Sequence, residues 1–454
     1  MNVIRIVAGT GMLGTGYSIE SFRKALSLKP DVIGCDAGST DPGPYYLGAD
    51  QPMVSREATK RDLTYMIEGA LEYEIPLLIG TAGTAGTNKL VDWTVEIVAE
   101  ILQEKKMHCR VAKIYSEIST DQLLNYYSQG KLKPLENAPE LGEEEIKRLS
   151  KAVGQMGVEP YIEALKNDAQ IIIAGRSSDT SIYAAVPIMK GLENGAVWHA
   201  AKILECGAGC VVNRLHPDSM FATIEEDHFV IEPPNEKMSC SPASVLSHFL
   251  YENTDPYFLK EPSGTLDTSK ATYTEQGERA VKVAGSEFHR ADQYTIRVEA
   301  VELVGHRRIC IGGIRDPFVL KQLSEFLEEA FRVVKRKVSD SLAIEENDYQ
   351  LAHRVYGQAG VMGRLEPERE FGHEVGLLFE VIAETPEQSE AIMAIAWHTL
   401  LHHPIKEWSG LVSQVAFPFS PPDVSMGEVF RFAVNHVIEV QDPLELFTID
   451  YIEL

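Results

Sequence analysis

Five short apolar runs, four of them opening into loops of glycine, serine and threonine, constrain the fold of this chain more than any other feature. The runs are VIRIV (Val3 to Val7), DVIGC (Asp31 to Cys35), PLLIG (Pro76 to Gly80), CRVAKIY (Cys109 to Tyr115) and QIIIAG (Gln170 to Gly175). Near-continuous apolarity over so few residues suits strands covered on both faces, as in a parallel sheet. Helical segments lie between them. SIESFRKAL places Ile19, Phe22 and Leu26 on one face behind Ser18 as N-cap, and NKLVDWTVEIVAEIL carries Leu90, Val91, Val95, Val98 and Leu102 at helical spacing. The alternation predicts an α/β fold: a mostly parallel sheet with helices on both faces, joined by right-handed crossovers.

A chain of 454 residues has room for two or three domains. The charged, proline-containing stretch Gly130 to Leu149 reads as an excursion from the α/β pattern. A shift to Pro, Ser and Asn between Glu232 and Ser269 predicts the domain boundary. The expected division is an N-terminal α/β domain over 1–235, a connecting segment over 236–269, and a second, smaller α/β or α+β domain over 270–454. In that second part YTIRVEA alternates, with Tyr294, Ile296, Val298 and Ala300 on one face of a strand. Asp316 followed by Pro317, and Thr385, Pro386 and Gln388, mark two helix starts.

Apolar residues at 44% and charged residues at 24% describe an ordinary globular protein rather than a disordered one. Net charge of −25 with no Lys/Arg-rich run argues against nucleic acid as a partner. No run approaches the ~20 apolar residues of a membrane span, and the first apolar run is too short for a signal peptide. A cytoplasmic location without membrane contact is expected. The six cysteines are scattered as reduced thiols would be. Cys206 and Cys210 are close, but no second pair completes a zinc set, so they read as structural.

The loops AGTGMLGTGYS, DAGSTDPGPYYLG, GTAGTAGTN and GRSSDTS follow four of the apolar runs. Loops at the carboxyl ends of parallel strands surround one crevice, where ligands bind. Backbone amides freed by glycine, with Ser and Thr hydroxyls, suit a carboxylate, phosphate or pyrophosphate. Expected substrate contacts are Gly9, Thr10 and Gly11; Ser39, Thr40 and Asp41; Thr81, Gly83 and Thr84; and Arg176, Ser177, Ser178 and Asp179. Arg176 would grip a substrate carboxylate with two hydrogen bonds. Asp36, at a strand end, is the candidate for proton transfer or a hydroxyl contact. Asp41 and Asp179 divide evenly between turn or cap duty and function. Asp36, Asp41 and Asp179 could together hold Mg²⁺, although no spacing demands it, and no metal site is assigned.

Gly9, Gly11 and Gly14, with Asp36 about 20 residues on, also match a dinucleotide-binding fingerprint. Two features oppose that match. The helix signal begins only at Ser18, and Asp36 runs into another glycine loop. A nicotinamide-dependent oxidoreductase is therefore the alternative reading.

The segments GCDAGSTDPGPYYLGAD, IGTAGTAG, IIAGRSSDTS, WHAAKILECGAG, HPDSMFATIEEDHFVIEP and SVLSHFLYENTDPYFLKEPSG together resemble the acyclic terpene utilisation (AtuA) family. The likeness covers most of residues 1 to about 320 and recurs weakly in FTIDYIEL. It implies an enzyme of small carboxylic acid or acyl-CoA catabolism, and a short form lacking a C-terminal ferredoxin-like domain. A separate small ferredoxin-like partner subunit is implied with it, and a homo-oligomer is expected. GTGMLGTGYS departs from family members whose loop carries a further acid and arginine, so a terpenoid substrate does not follow.

WHAAKILECGAG holds His199, Lys202 and Glu205 at helical spacing, either a solvated strip or a set of proton donors and acceptors. His248, Tyr251, Glu252, Asp255 and Glu261 fall in a loop-rich stretch suited to function. His402 and His403 fit a helix C-terminus better than a metal, and Arg290, Arg307, Arg308 and Arg315 are further cations of the second half. The leading expectation is a hydro-lyase: Asp36, His199, Lys202 or Glu205 moves a proton beside a carboxylate or thioester. A non-catalytic scaffold for the small partner is a further alternative.

Overall fold

The computed structural model describes residues 3–454 apart from 136, 137, 140, 252, 369, 371 and 408–412. The chain forms two compact units, one of residues 1–302 with 432–454 and one of residues 303–431. The first is built on β1 (Ile4–Ala8), β2 (Val32–Gly38), β3 (Leu77–Thr84), β4 (Arg110–Tyr115) and β5 (Ile171–Ala174), the five predicted strands. They lie parallel in the order β1, β2, β3, β5, β4.

The pleat of these strands explains the three layers. Val7, Ile33, Ile79 and Ile173 point to one face and pack with Phe22, Leu63, Met66, Val91 and Val98. Those belong to α1 (Ile19–Ser27), α2 (Arg56–Glu72) and α3 (Asn88–Lys105). Ile6, Val32, Leu78 and Ile172 point the other way, against Ile182, Tyr183, Trp198 and Leu204 of α4 (Asp179–Met189) and α5 (Gly195–Leu204). Burial on both faces is why the runs are apolar without alternation. Ser18 caps α1 as predicted, accepting from the Ser21 amide.

The sheet does not stop at the parallel core. β6 (Met220–Ile224), β7 (His228–Glu232), β8 (Thr272–Gln276) and β9 (Ala280–Ala284) extend it antiparallel beyond β1, in the order β6, β7, β9, β8. β10 (Thr448–Glu453) adds antiparallel to β4 at the other edge. The Pro- and Ser-rich stretch over 236–269 is therefore no domain boundary. It holds α6 (Pro242–Phe249), and β8 and β9 follow it within the same ten-stranded sheet. The composition shift marks an excursion, and the chain leaves the first unit only after Glu302.

The second unit is α+β. Strand Val375–Ala383 pairs antiparallel with Tyr349–Tyr356 on one side and with His306–Ile314 on the other. Helices Leu323–Leu342 and Pro386–His402 lay Phe326, Ala330, Val334, Ile392 and Ala396 against Leu377 and Phe379. Asp316 caps Pro317 and its neighbours, and Thr385 and Gln388 form the predicted capping box. No helix among the described residues is long and apolar enough to cross a membrane.

Candidate functional site

The loops after β1, β2 and β5 meet at one pocket of ≈ 530 Å³ in the first unit. Gly11, Met12 and Thr15 line it from the first loop, Asp36, Gly38, Ser39, Thr40 and Asp41 from the second, and Arg176 and Asp179 from the fourth. Glu205, Cys206, Gly209, Arg214, Pro217, His248 and Tyr251 complete the wall. The turn after α5 is held close: a Cβ on Gly11 would lie 2.6 Å from the Cys206 carbonyl oxygen. Gly11→Ala should therefore push the two loops apart and cost about 1–3 kcal/mol. A thermal melt measures the loss, and an unchanged melt would show that the loops give way freely.

The glycine turn does not wait for an outside anion. The Gly14 and Gly16 amides both donate to Asp62 Oδ2, at 2.8 and 3.0 Å. Gly14 and Gly16 take φ of +92° and +85° to aim those amides. At the start of α1 the Ser18 amide and the Ser21 hydroxyl both donate to Asp218, which is wholly buried. These donors, of the kind an anion would use, are taken by the protein's own carboxylates. Two acids remote in sequence thus answer the glycine fingerprint.

Asp36 sits where predicted, at the end of β2 and 6% exposed. Its Oδ1 accepts from the Gly38 amide at 3.0 Å. Burial raises its carboxyl well above the ordinary range, and Asp179 adds to this, while the Gly38 amide and Arg176 oppose it. An acid that stays protonated this readily can give up a proton inside a pocket.

Arg176 is not free to grip a substrate. Its Nε and Nη2 donate to the two oxygens of Glu299, both at 2.9 Å. Nη1 donates to Thr81 Oγ1, Ser177 O and Asp179 Oδ1 at 3.2 to 3.3 Å. Burial works against ionised Glu299, yet this guanidinium holds it below the usual carboxylate range. The expected substrate clamp is a buried ion pair, with one face of the arginine showing in the pocket.

All three of the third loop's predicted contacts lie outside the pocket lining. Thr81 Oγ1 accepts from Arg176 and from the Ser177 amide. Thr81 takes φ of +49° and Thr84 +88°, a region that β-branched residues avoid at a cost of about 1–3 kcal/mol. Thr84 Oγ1 accepts from the Met53 amide at 3.0 Å, and Gly83 lies under Leu90. Gly9 and Thr10 are buried beneath the first loop, where Gly9 packs on Met66 and Thr10 bonds Gly16 O. Ser177 bonds the Tyr161 hydroxyl, and Ser178 and Thr180 both donate to Glu261. Of the thirteen predicted substrate contacts, Gly11, Ser39, Thr40, Asp41, Arg176 and Asp179 line the pocket.

The α5 trio separates. His199 is fully buried among Phe229, Phe249 and Tyr273, with Nδ1 bonded to Ser286 Oγ at 2.7 Å and Nε2 to the Tyr273 hydroxyl at 3.2 Å. It is a core residue, because the helix is buried all round and offers no solvated strip. Burial lowers its pKa to about 3. The folded chain thus binds this proton less readily than the unfolded one, so His199 weakens stability as pH falls from about 6.5 towards 3. His199→Gln should keep turnover and flatten that part of the stability profile. Turnover lost with the fold intact would return His199 to the site.

Lys202 and Glu205 form a buried ion pair, and Glu205 reaches the pocket. Burial pushes Glu205 up to about 8 despite Lys202, while Glu205 holds the ammonium above its usual range against burial. Glu261 is pushed up to about 7 by burial, against its two hydroxyl donors. Two carboxyls that resist ionisation, Asp36 and Glu205, therefore line one cavity, and Glu261 lies behind it on Ser178 and Thr180.

Sequence reasoning missed Glu299, Arg214 and the exposure of Cys206 to the pocket. Cys206 is the one half-buried cysteine, whereas Cys210 lies against Cys240, Sγ to Sγ 3.8 Å. His248 and Tyr251 do line the pocket, but Asp255 turns back on its own loop and Glu252 lies outside the described residues. Arg290, Arg307 and Arg308 pair with Glu193, Glu380 and Asp423. Among the described residues one trio of metal-type ligands comes within 4.8 Å, Asp267, Glu287 and His289. Asp36, Asp41 and Asp179 do not converge in that way.

The family described as acyclic terpene utilisation family protein AtuA matches residues 56–412. The chain belongs to the AtuA family. No curated protein and no solved structure matches it. The AtuA match takes in β3, β4 and β5 and, apart from Gly11, Met12, Thr15, Asp36, Gly38, Ser39, Thr40 and Asp41, every residue of the pocket wall. The first two loops are contributed by the part of the chain before the match.

Proposed function

We propose that this AtuA-family chain is an enzyme of small carboxylic acid or acyl-CoA catabolism that moves a proton beside a carboxylate or thioester, most simply a hydro-lyase. The single observation that carries this reading is Asp36, a buried carboxyl at a strand end that faces the pocket and is held towards its neutral form. Such a group protonates a leaving hydroxyl or an enolate carbon and recovers the proton afterwards. Glu205, tied to Lys202, supplies a second titrating group in the pocket wall. Charge that develops on a carbonyl oxygen meets Arg176, whose partner Glu299 fixes its place.

The dinucleotide reading is weakened because Asp62 and Asp218 hold the Gly14, Gly16 and Ser18 amides. The deciding experiment is a mass-spectrometric screen of hydroxy acids, dicarboxylic acids and their CoA thioesters, with the chain alone and co-expressed with a small ferredoxin-like partner. Gain or loss of one water supports the reading. A two-hydrogen mass change dependent on NAD or NADP would replace it with redox chemistry.

A further inference from the structure

The pocket wall carries two kinds of charged group. Asp36, Asp179 and Glu205 line it together with Arg176, and that arginine's charge is answered by Glu299. Asp41 adds another carboxylate. Arg214, Gly209, His248 and Tyr251 line the pocket as well. Arg214 is exposed and makes no ion pair or hydrogen bond with any described residue, unlike Arg176 with its five acceptor contacts. His248 packs over the Gly209 turn, where a Cβ would lie 2.7 Å from its Cε1 and 3.2 Å from its Nδ1.

We propose that Arg214 docks the anionic terminus, carboxylate or phosphate, of a substrate whose reacting end is uncharged. The exposed guanidinium offers the planar, two-pronged donor set that either oxyanion accepts. Beside Asp36, a second negative charge would meet Asp179, whose charge already acts on Asp36, while the Arg176 charge is answered by Glu299, and like charges close together repel. A thioester, amide or similar neutral acyl group meets no such opposition there. The pocket therefore selects a monoanion and rejects a short diacid. The environment of His248 agrees: burial first, then the positive charges of Lys202 and Arg214, bring its pKa down to about 4.

This inference rests on the reading of Asp36 as the proton-transfer group, and it is tested without turnover. Isothermal titration calorimetry would compare succinate, succinamide, succinamate and its longer homologues, with the matching phosphonate monoamides as a separate arm. At the best chain length the monoamide should bind at least about tenfold more tightly than the diacid or the diamide. The tighter of the carboxylate and phosphonate arms identifies the anion. Arg214→Met should bind monoamide and diamide alike, and Arg214→Lys should keep part of the preference; both should melt as the parent does, since the side chain is exposed. Proton NMR of His248 should show its pKa rising when the monoamide binds. A diacid that binds as tightly as the monoamide, an Arg214→Met protein with unchanged preference, or a series with no binding member would each overturn the proposal. Selective binding alongside an Asp36→Asn protein with full turnover would instead remove only the catalytic reading.

Discussion

Asp36→Asn should lower turnover by about 10²–10⁴-fold, the usual contribution of a positioned general acid or base. The amide keeps the shape of the side chain and its acceptor for the Gly38 amide, so ligand affinity should hold. Stability offers an independent readout. A carboxyl whose folded pKa is raised stabilises the fold in acid, and that contribution is lost as pH rises through the folded value. Asparagine does not titrate, so the variant should lose less stability than the parent as the solution is made alkaline. Full turnover in a correctly folded variant would remove Asp36 from the mechanism.

The second large effect falls on the pair behind the pocket. Glu299→Ala strands the Arg176 guanidinium, 9% exposed, with Asp179 as its remaining ion-pair partner among the described residues. Breaking a buried pair from one side costs about 3–5 kcal/mol, which in a unit of this size lowers the melting temperature by on the order of 10 °C. Replacing both ends, Arg176→Met with Glu299→Leu, should recover much of that loss, because no charge is then left buried and unpaired. Turnover should not recover with it, since Arg176 lines the pocket. A double variant no more stable than Glu299→Ala would show that the pair's worth is packing rather than charge.

These two predictions mark where the sequence was legible and where it was not. The apolar runs announced β1 to β5 because burial on both faces leaves no polar alternation, and Ser18 and Thr385 announced their helices because an orphan amide needs a nearby acceptor. Such signals are local. Arg176 could be read as a pocket residue from its loop, but its partner Glu299 lies 123 residues away and belonged to a stretch read as another domain. Asp62 and Asp218 escaped notice for the same reason: glycine turns advertise an anion without saying that the chain supplies it. His199 and Lys202 share one helix and similar spacing to their neighbours, and only the packing of Phe229, Phe249 and Tyr273 tells core from site. Proline and serine between β7 and β8 mimicked a linker because a long surface excursion and a boundary have the same composition.

The return of the chain to the first unit has a consequence for biosynthesis. β4 leaves the ribosome long before β10, with the whole of the second unit made in between. Until β10 arrives, one margin of the nascent sheet displays unpaired peptide groups, the kind of template on which neighbouring chains aggregate. Premature termination anywhere in the second unit would leave that margin open permanently, and such fragments should be found in inclusion bodies.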